Sequence, residues 1–333
     1  MKAIVMTTPG EPDVLELRDV RKPEVTRPTD LLVRIQAASI NPLDTKVRKL
    51  NMFYPDRLPS ILGCDGAGVV EAVGADVTRF RPGDEVYFFN NGLGGEAGCY
   101  AEYTVLNEAY AARKPAGLSM AEAAALPLVL ITAWQALIDR VNVRAGETIL
   151  VHAGAGGVGH LAIQLAKHLG ARVAATVSNA DKARFVESLG AERVIDYKEH
   201  DFVEQTLAWT RGVGADVTFD TVGGPTFCQS FAATRIYGRI ATLMTTPCEV
   251  ALLNKARLRN LTIGYVQMTT PLFLGDHAHR CEQTRILEDG GRLFAEGKLR
   301  VLVSETLPLA EAAQAHRVVE AGHTSGKVVL DVD

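Results

Sequence analysis

The chain has 333 residues, 47% hydrophobic and 22% charged, with a net charge of −4. That is enough apolar material for about two globular domains, and it excludes a disordered chain. The acidic balance supplies no basic field for nucleic acid, so no nucleic-acid partner is expected.

In chain order, residues 1 to about 120 read as β-rich. Strand-like stretches at 14–17, 31–35, 68–73 and 84–87 are punctuated by Pro and Gly. A short helix is expected at 42–50. The N-terminus carries neither a signal-peptide core nor a cleavage site, and the longest apolar run, 123–131, is too short for a bilayer. A cytoplasmic protein with no membrane partner is the expectation. The character changes near Ser119, where Ser119 and Glu122 have capping-box spacing. From there strands predicted at 148–151, 172–177, 193–196, 216–220, 238–243 and 261–264 alternate with helical patterns, which predicts a doubly wound parallel sheet. A helix at 277–296, a strand at 300–306, a helix at 309–320 and a strand at 327–331 follow. The terminal strands are expected to return to the first domain.

The run after 148–151 contains Gly154, Gly156, Gly157, Val158 and Gly159, with the spacing G-x-G-x-x-G between a strand and a helix. That context turns a weak motif into a dinucleotide-binding signature. Gly154 is expected to permit the tight turn, Gly156 to let backbone approach a pyrophosphate, and Gly159 to let the helix pack on the strand. The helix N-terminus offers free N–H groups to that anion. After the next strand, an NAD-binding chain usually has Asp or Glu. Here Ser178 stands there, with Lys182 one turn later. NADPH is therefore the expected cofactor.

The five cysteines, Cys64, Cys99, Cys228, Cys248 and Cys281, are scattered and form no C-x-x-C pair. They read as reduced, mostly buried thiols. His277, His279 and Cys281 alternate, but on a helix 279 faces away from the other two, so no metal site is expected there.

An ordered set of motifs resembles the medium-chain dehydrogenase/reductase superfamily, in its zinc-independent quinone oxidoreductase branch. Its carriers are Asn41-Pro42-Leu43-Asp44, Gly63-Cys64-Asp65-Gly66, Arg81-Pro82-Gly83-Asp84, Tyr100-Ala101-Glu102-Tyr103, the glycine cluster, Asp220-Thr221-Val222-Gly223 and Ser325-Gly326-Lys327. The resemblance implies an α/β protein: a GroES-like β-barrel catalytic domain over 1–122, a Rossmann NADPH-binding domain over 123–268, and a return to the catalytic domain over 269–333. It implies a homodimer paired through the edge strand near 261–266. It assigns the cofactor's 2′-phosphate to Ser178, Lys182 and Tyr197, and places Thr132, Val222 and Lys327 beside the cofactor. Zinc-dependent members have Cys at the position of Asn41 and His at that of Cys64, so no zinc is expected.

Without a Lewis acid, the substrates implied are quinones or α,β-unsaturated carbonyls, whose product anion is delocalised. Asn41, Lys46 and Tyr54 are the candidate oxyanion donors, with Asp44 orienting Lys46 or a water. An acrylyl or enoyl thioester is the alternative substrate, with Arg48, Lys49 and Arg57 as a basic rim. A low-turnover NADPH-binding structural or regulatory protein is a further alternative.

Overall fold

The computed structural model describes residues 1–332. The chain divides into two compact units, one of Met1–Leu128 with the stretch from Thr269 onward, the other Val129–Met268. The boundary falls inside the helix Pro127–Trp134, a few residues beyond the expected 122/123. Its first turn belongs to the first unit because the Leu128 N–H donates to the Asp65 carboxylate at 2.9 Å.

The first unit is built around the eleven-residue strand Asp30–Ile40. Its near-continuous run of Leu, Val, Ile and Ala is buried along most of its length, as befits a strand with neighbours on both edges. The strand carries register shifts at Leu32/Val33 and Ile35/Ala37. Such bulges bend a strand and increase its twist. Its first half thereby pairs with Tyr103–Asn107 and its last four residues with Lys327–Asp331. Asp65–Val73 pairs along its other edge. The resulting seven-stranded sheet runs Val303–Pro308, Lys327–Asp331, Asp30–Ile40, Asp65–Val73, Glu85–Phe89, Ala111–Arg113, with Tyr103–Asn107 as the seventh strand beside Asp30–Ile40, and a three-stranded sheet accompanies it. This is the GroES-like unit. The C-terminal strands lie within it, with Val329 opposite Ser39 and Val328 opposite Ile40.

The second unit is a six-stranded parallel sheet. Thr148–Val151 lies inside, flanked by Arg172–Val177 and then Arg193–Asp196 on one side, and by Ala215–Asp220, Thr234–Thr242 and Thr262–Tyr265 on the other. In order of appearance that is 3-2-1-4-5-6, the Rossmann order, with its crevice where the order reverses beside the first strand. Thr262–Tyr265 is an edge strand.

One cysteine expectation is overturned. Cys228, on the helix Gly224–Ala233, is joined to Cys248 in a disulfide across 20 residues. Spacing along the chain does not reveal it, because the helix and the following strand bring the two together. Cys64, Cys99 and Cys281 are free thiols. Among the described residues no helix is long and apolar enough to cross a membrane.

Candidate active site

The strand Asp30–Ile40 ends at Asn41, and a helix starts at Pro42. Proline suits the first helical position because its missing N–H would have no partner there. The Asn41 backbone N–H donates to Asp44 at 2.8 Å, so the helix start is closed by its own third residue. The Asn41 side chain, the other half of that capping box, is bonded further. Its Nδ2 donates to Asp65 at 2.8 Å, and its Oδ1 accepts from Lys327 Nζ at 2.5 Å. Lys327 also donates to the Ile40 carbonyl at 2.9 Å and lies 3.7 Å from Asp65. Sheet register explains the cluster: Ser39 is paired with Asp65 and with Val329, and Ser39 Oγ donates to Asp65 at 2.9 Å.

Asn41, Asp44 and Asp65 are fully buried and Lys327 is 4% exposed. Two carboxylates thus share one ammonium out of water. Burial pushes the Asp44 carboxyl up to about 6 and raises that of Asp65, while burial lowers the Lys327 ammonium, opposed by Asp65 and Asp44.

A polarised chain runs away from Asp44. Tyr100 Oη lies 3.1 Å from Asp44, His316 Nε2 lies 3.3 Å from Tyr100 Oη, and Arg48 lies 3.5 Å from His316 Nδ1. Arg48 is closed by Glu320 at 2.6 Å. Arginine only donates, so His316 Nδ1 accepts and its proton sits on Nε2. That N–H then faces the Tyr100 oxygen, and the Tyr100 O–H points at Asp44. Burial holds His316 down at about 3, so it is neutral at pH 7.

Three sequence expectations change here. Lys46 is exposed while Asp44 is buried, and Asp44 is engaged by Asn41, Tyr100 and Cys64, so Asp44 does not orient Lys46. Tyr54 lies by Gly94 and Gly95 and 6.3 Å from the Phe273 ring, in a groove that does not include Asn41. Arg48 is no surface rim residue but fully buried. Asp65, Tyr100 and His316 carry the centre without being among the site residues the sequence suggests. Asp65 and Tyr100 stood in recognised motifs; His316 has no local signal.

The second unit places the glycine turn at the sheet's crevice. The positive φ that the turn requires is at Ala153 (49°), not Gly154. Gly154 is needed for space instead: a Cβ there would lie 2.8 Å from the Ala175 Cβ. At Gly159 it would lie 2.3 Å from the Ala153 carbonyl oxygen, so the helix could not approach its strand. At Gly156 only that oxygen is near, at 3.2 Å, which leaves an open cradle ahead of the helix Gly157–His168, where Val158 sits in the first turn. Those free N–H groups fit a pyrophosphate. Beneath the turn, His152 is buried between Thr176 (3.3 Å) and Ser230 (3.0 Å), and burial lowers it to about 4.

Ser178 follows the strand Arg172–Val177, and Tyr197 follows the adjacent Arg193–Asp196, its N–H donating to Val177. Lys182 stands in the first turn of the helix capped by Asn179. All three therefore sit at the carboxyl ends of neighbouring strands. Val222 lies in the turn after Ala215–Asp220, held by Asp220 at 3.1 Å. Thr132 is buried in the helix Pro127–Trp134. Lys327 belongs to the first unit, with its ammonium committed to Asn41 and Ile40.

Residues 27–116 match the model of the alcohol dehydrogenase GroES-like domain, and 189–330 that of the zinc-binding dehydrogenases. A quinone oxidoreductase of Pseudomonas aeruginosa is 36% identical over 330 residues, 99% of either chain. The chain belongs to the medium-chain dehydrogenase/reductase superfamily, in its quinone oxidoreductase branch. Among structures of the superfamily, an Escherichia coli quinone oxidoreductase complexed with NADPH superposes at a TM-score of 0.88, with 30% identity and all of both chains covered. An NAD-dependent alcohol dehydrogenase superposes at 0.91, with 38% identity over the same coverage.

The Lys327 ammonium already supplies the cation at the Asn41 oxygen. Burial raises the Cys64 and Cys99 thiols well above their ordinary values. Among the described residues no His, Cys, Asp and Glu cluster is placed to hold a metal.

Proposed function

We propose that the chain is an NADPH-dependent, zinc-independent reductase of quinones or α,β-unsaturated carbonyls. The observation that carries this reading is the Lys327 ammonium bonded to the Asn41 amide, at the position where zinc-dependent members have a Cys. NADPH as cofactor is supported by the Escherichia coli complex and by Ser178, Lys182 and Tyr197 at neighbouring strand ends.

Bound NADPH supplies a hydride. This chain's residues then have to stabilise the oxyanion that hydride transfer creates. Lys327 pins Oδ1 of Asn41 and thereby fixes which end of the amide donates. One Nδ2 hydrogen goes to Asp65, and the second is the donor for substrate oxygen. Lys182 offers its ammonium to the 2′-phosphate. The exposed edge strand Thr262–Tyr265 suits pairing with a second copy of the chain.

The test is NADPH consumption by chelator-treated protein with 1,4-benzoquinone and with a simple enone. Turnover that persists without metal supports the reading. Turnover that appears only when zinc is added back overturns it.

A further inference from the structure

We infer that a groove of about 680 Å³ on the GroES-like unit is a second binding site, for a small hydroxylated carboxylic acid. Neither Asn41, Asp65 nor Lys327 lines it, and its volume is in the range of small-molecule sites.

The carboxylate end is built by Asn90 and Arg280. Asn90 is 1% exposed and follows the strand Glu85–Phe89. Its Oδ1 accepts from Arg280 at 2.9 Å, which settles the amide's orientation. Its Nδ2 is left with no hydrogen-bond partner. The Arg280 guanidinium carbon lies 3.5 Å from the centroid of the Tyr110 ring, and the residue is half-buried. No carboxylate among the described residues lies within ion-pair distance of it. Glu96 faces the same groove but is held by Asn91 at 3.0 Å. A planar cation and an unpartnered amide N–H side by side match the two oxygens of a carboxylate.

The hydroxyl end is built from acceptors. Asp30 and Thr104 lie on the paired strands Asp30–Ile40 and Tyr103–Asn107. They are 5% and 2% exposed. Asp30 Oδ1 and Thr104 Oγ1 also lack partners, and both residues line the groove. Buried polar groups are nearly always satisfied, so three orphaned atoms around one groove point to a ligand with donors as well as a carboxylate. Hydroxyls suit the site better than an ammonium, because the arginines lining the groove outnumber its carboxylates by one.

The test is calorimetric titration of the full chain, without NADPH, using gluconate as probe and sorbitol and hexanoate as controls. Because the readout is binding alone, its outcome is separate from that of the reductase reading. Saturable gluconate binding is expected, with sorbitol and hexanoate each at least tenfold weaker. Arg280→Gln should weaken gluconate at least tenfold. The near-isosteric Thr104→Val, which removes only a hydroxyl, should weaken it several-fold and leave hexanoate unchanged. Absence of saturable gluconate binding to the native chain overturns the site. So does sorbitol binding as tightly as gluconate, or a folded Arg280→Gln variant with unchanged affinity.

Discussion

Lys327 and Asn41 meet at 2.5 Å although 286 residues separate them. That contact holds the one ammonium shared by two buried carboxylates and orients an amide in one step. Lys327→Met should therefore leave Asp44 and Asp65 without a counter-cation. Removing one partner of a buried ionic cluster costs about 3–5 kcal/mol, and the variant's denaturant midpoint should fall accordingly at pH 7.

Asn41→Ala tests the oxyanion role. Loss of one such donor typically lowers turnover by about 10²–10³. We expect that loss in kcat with 1,4-benzoquinone, with the dissociation constant for NADPH unchanged. A drop in NADPH affinity with unaltered kcat would assign Asn41 to the cofactor instead.

Lys182→Ala should weaken NADPH by about 1.5–3 kcal/mol, the worth of a charged hydrogen bond, and leave NADH nearly untouched. Equal losses for both cofactors, read by fluorescence titration, would remove Lys182 from the 2′-phosphate.

Stability should fall on acidification. His316 and His152 are held at about 3 and about 4 in the folded chain, against an ordinary 6.5. Their contribution is complete above 6.5 and is lost as pH falls toward those values. Asp44 acts oppositely: raised from 3.8 to about 6, it stabilises the fold below 3.8 and loses that contribution as pH rises through 6. The histidine shifts are the larger, so they set the direction. His316→Gln should shrink the Tm loss between pH 6.5 and 4.5, and Asp44→Asn should enlarge it.

The Cys228–Cys248 disulfide closes a 20-residue separation. A loop of that size stabilises by about 3 kcal/mol through the unfolded chain. Reduction by a dithiol should lower Tm, and Cys248→Ser should reproduce the reduced value.

The parallel sheet, the glycine turn and the helix at Pro42–Leu50 could be read from the chain because each is written locally. A β-branched run, a G-x-G-x-x-G spacing or a proline at a helix start carries its conformation in a few neighbouring residues. The members of the Asn41 centre come from five separate segments. Asn41 and Asp44 were legible as motif residues, but the role of Asp65, the direction of the Tyr100–His316–Arg48 chain and the commitment of Lys327 were not. Sheet register places Asp65 and Lys327, by setting Ser39 against both Asp65 and Val329, and the donor-only Arg48 sets the direction of the chain. Tertiary packing likewise moved Arg48 from an expected rim to the interior, Tyr54 into the Arg280 groove and two cysteines into a bond. The physical reason is common to all of them: local sequence sets φ, ψ and hydrophobic period, whereas burial and partner choice depend on which distant strand completes the sheet.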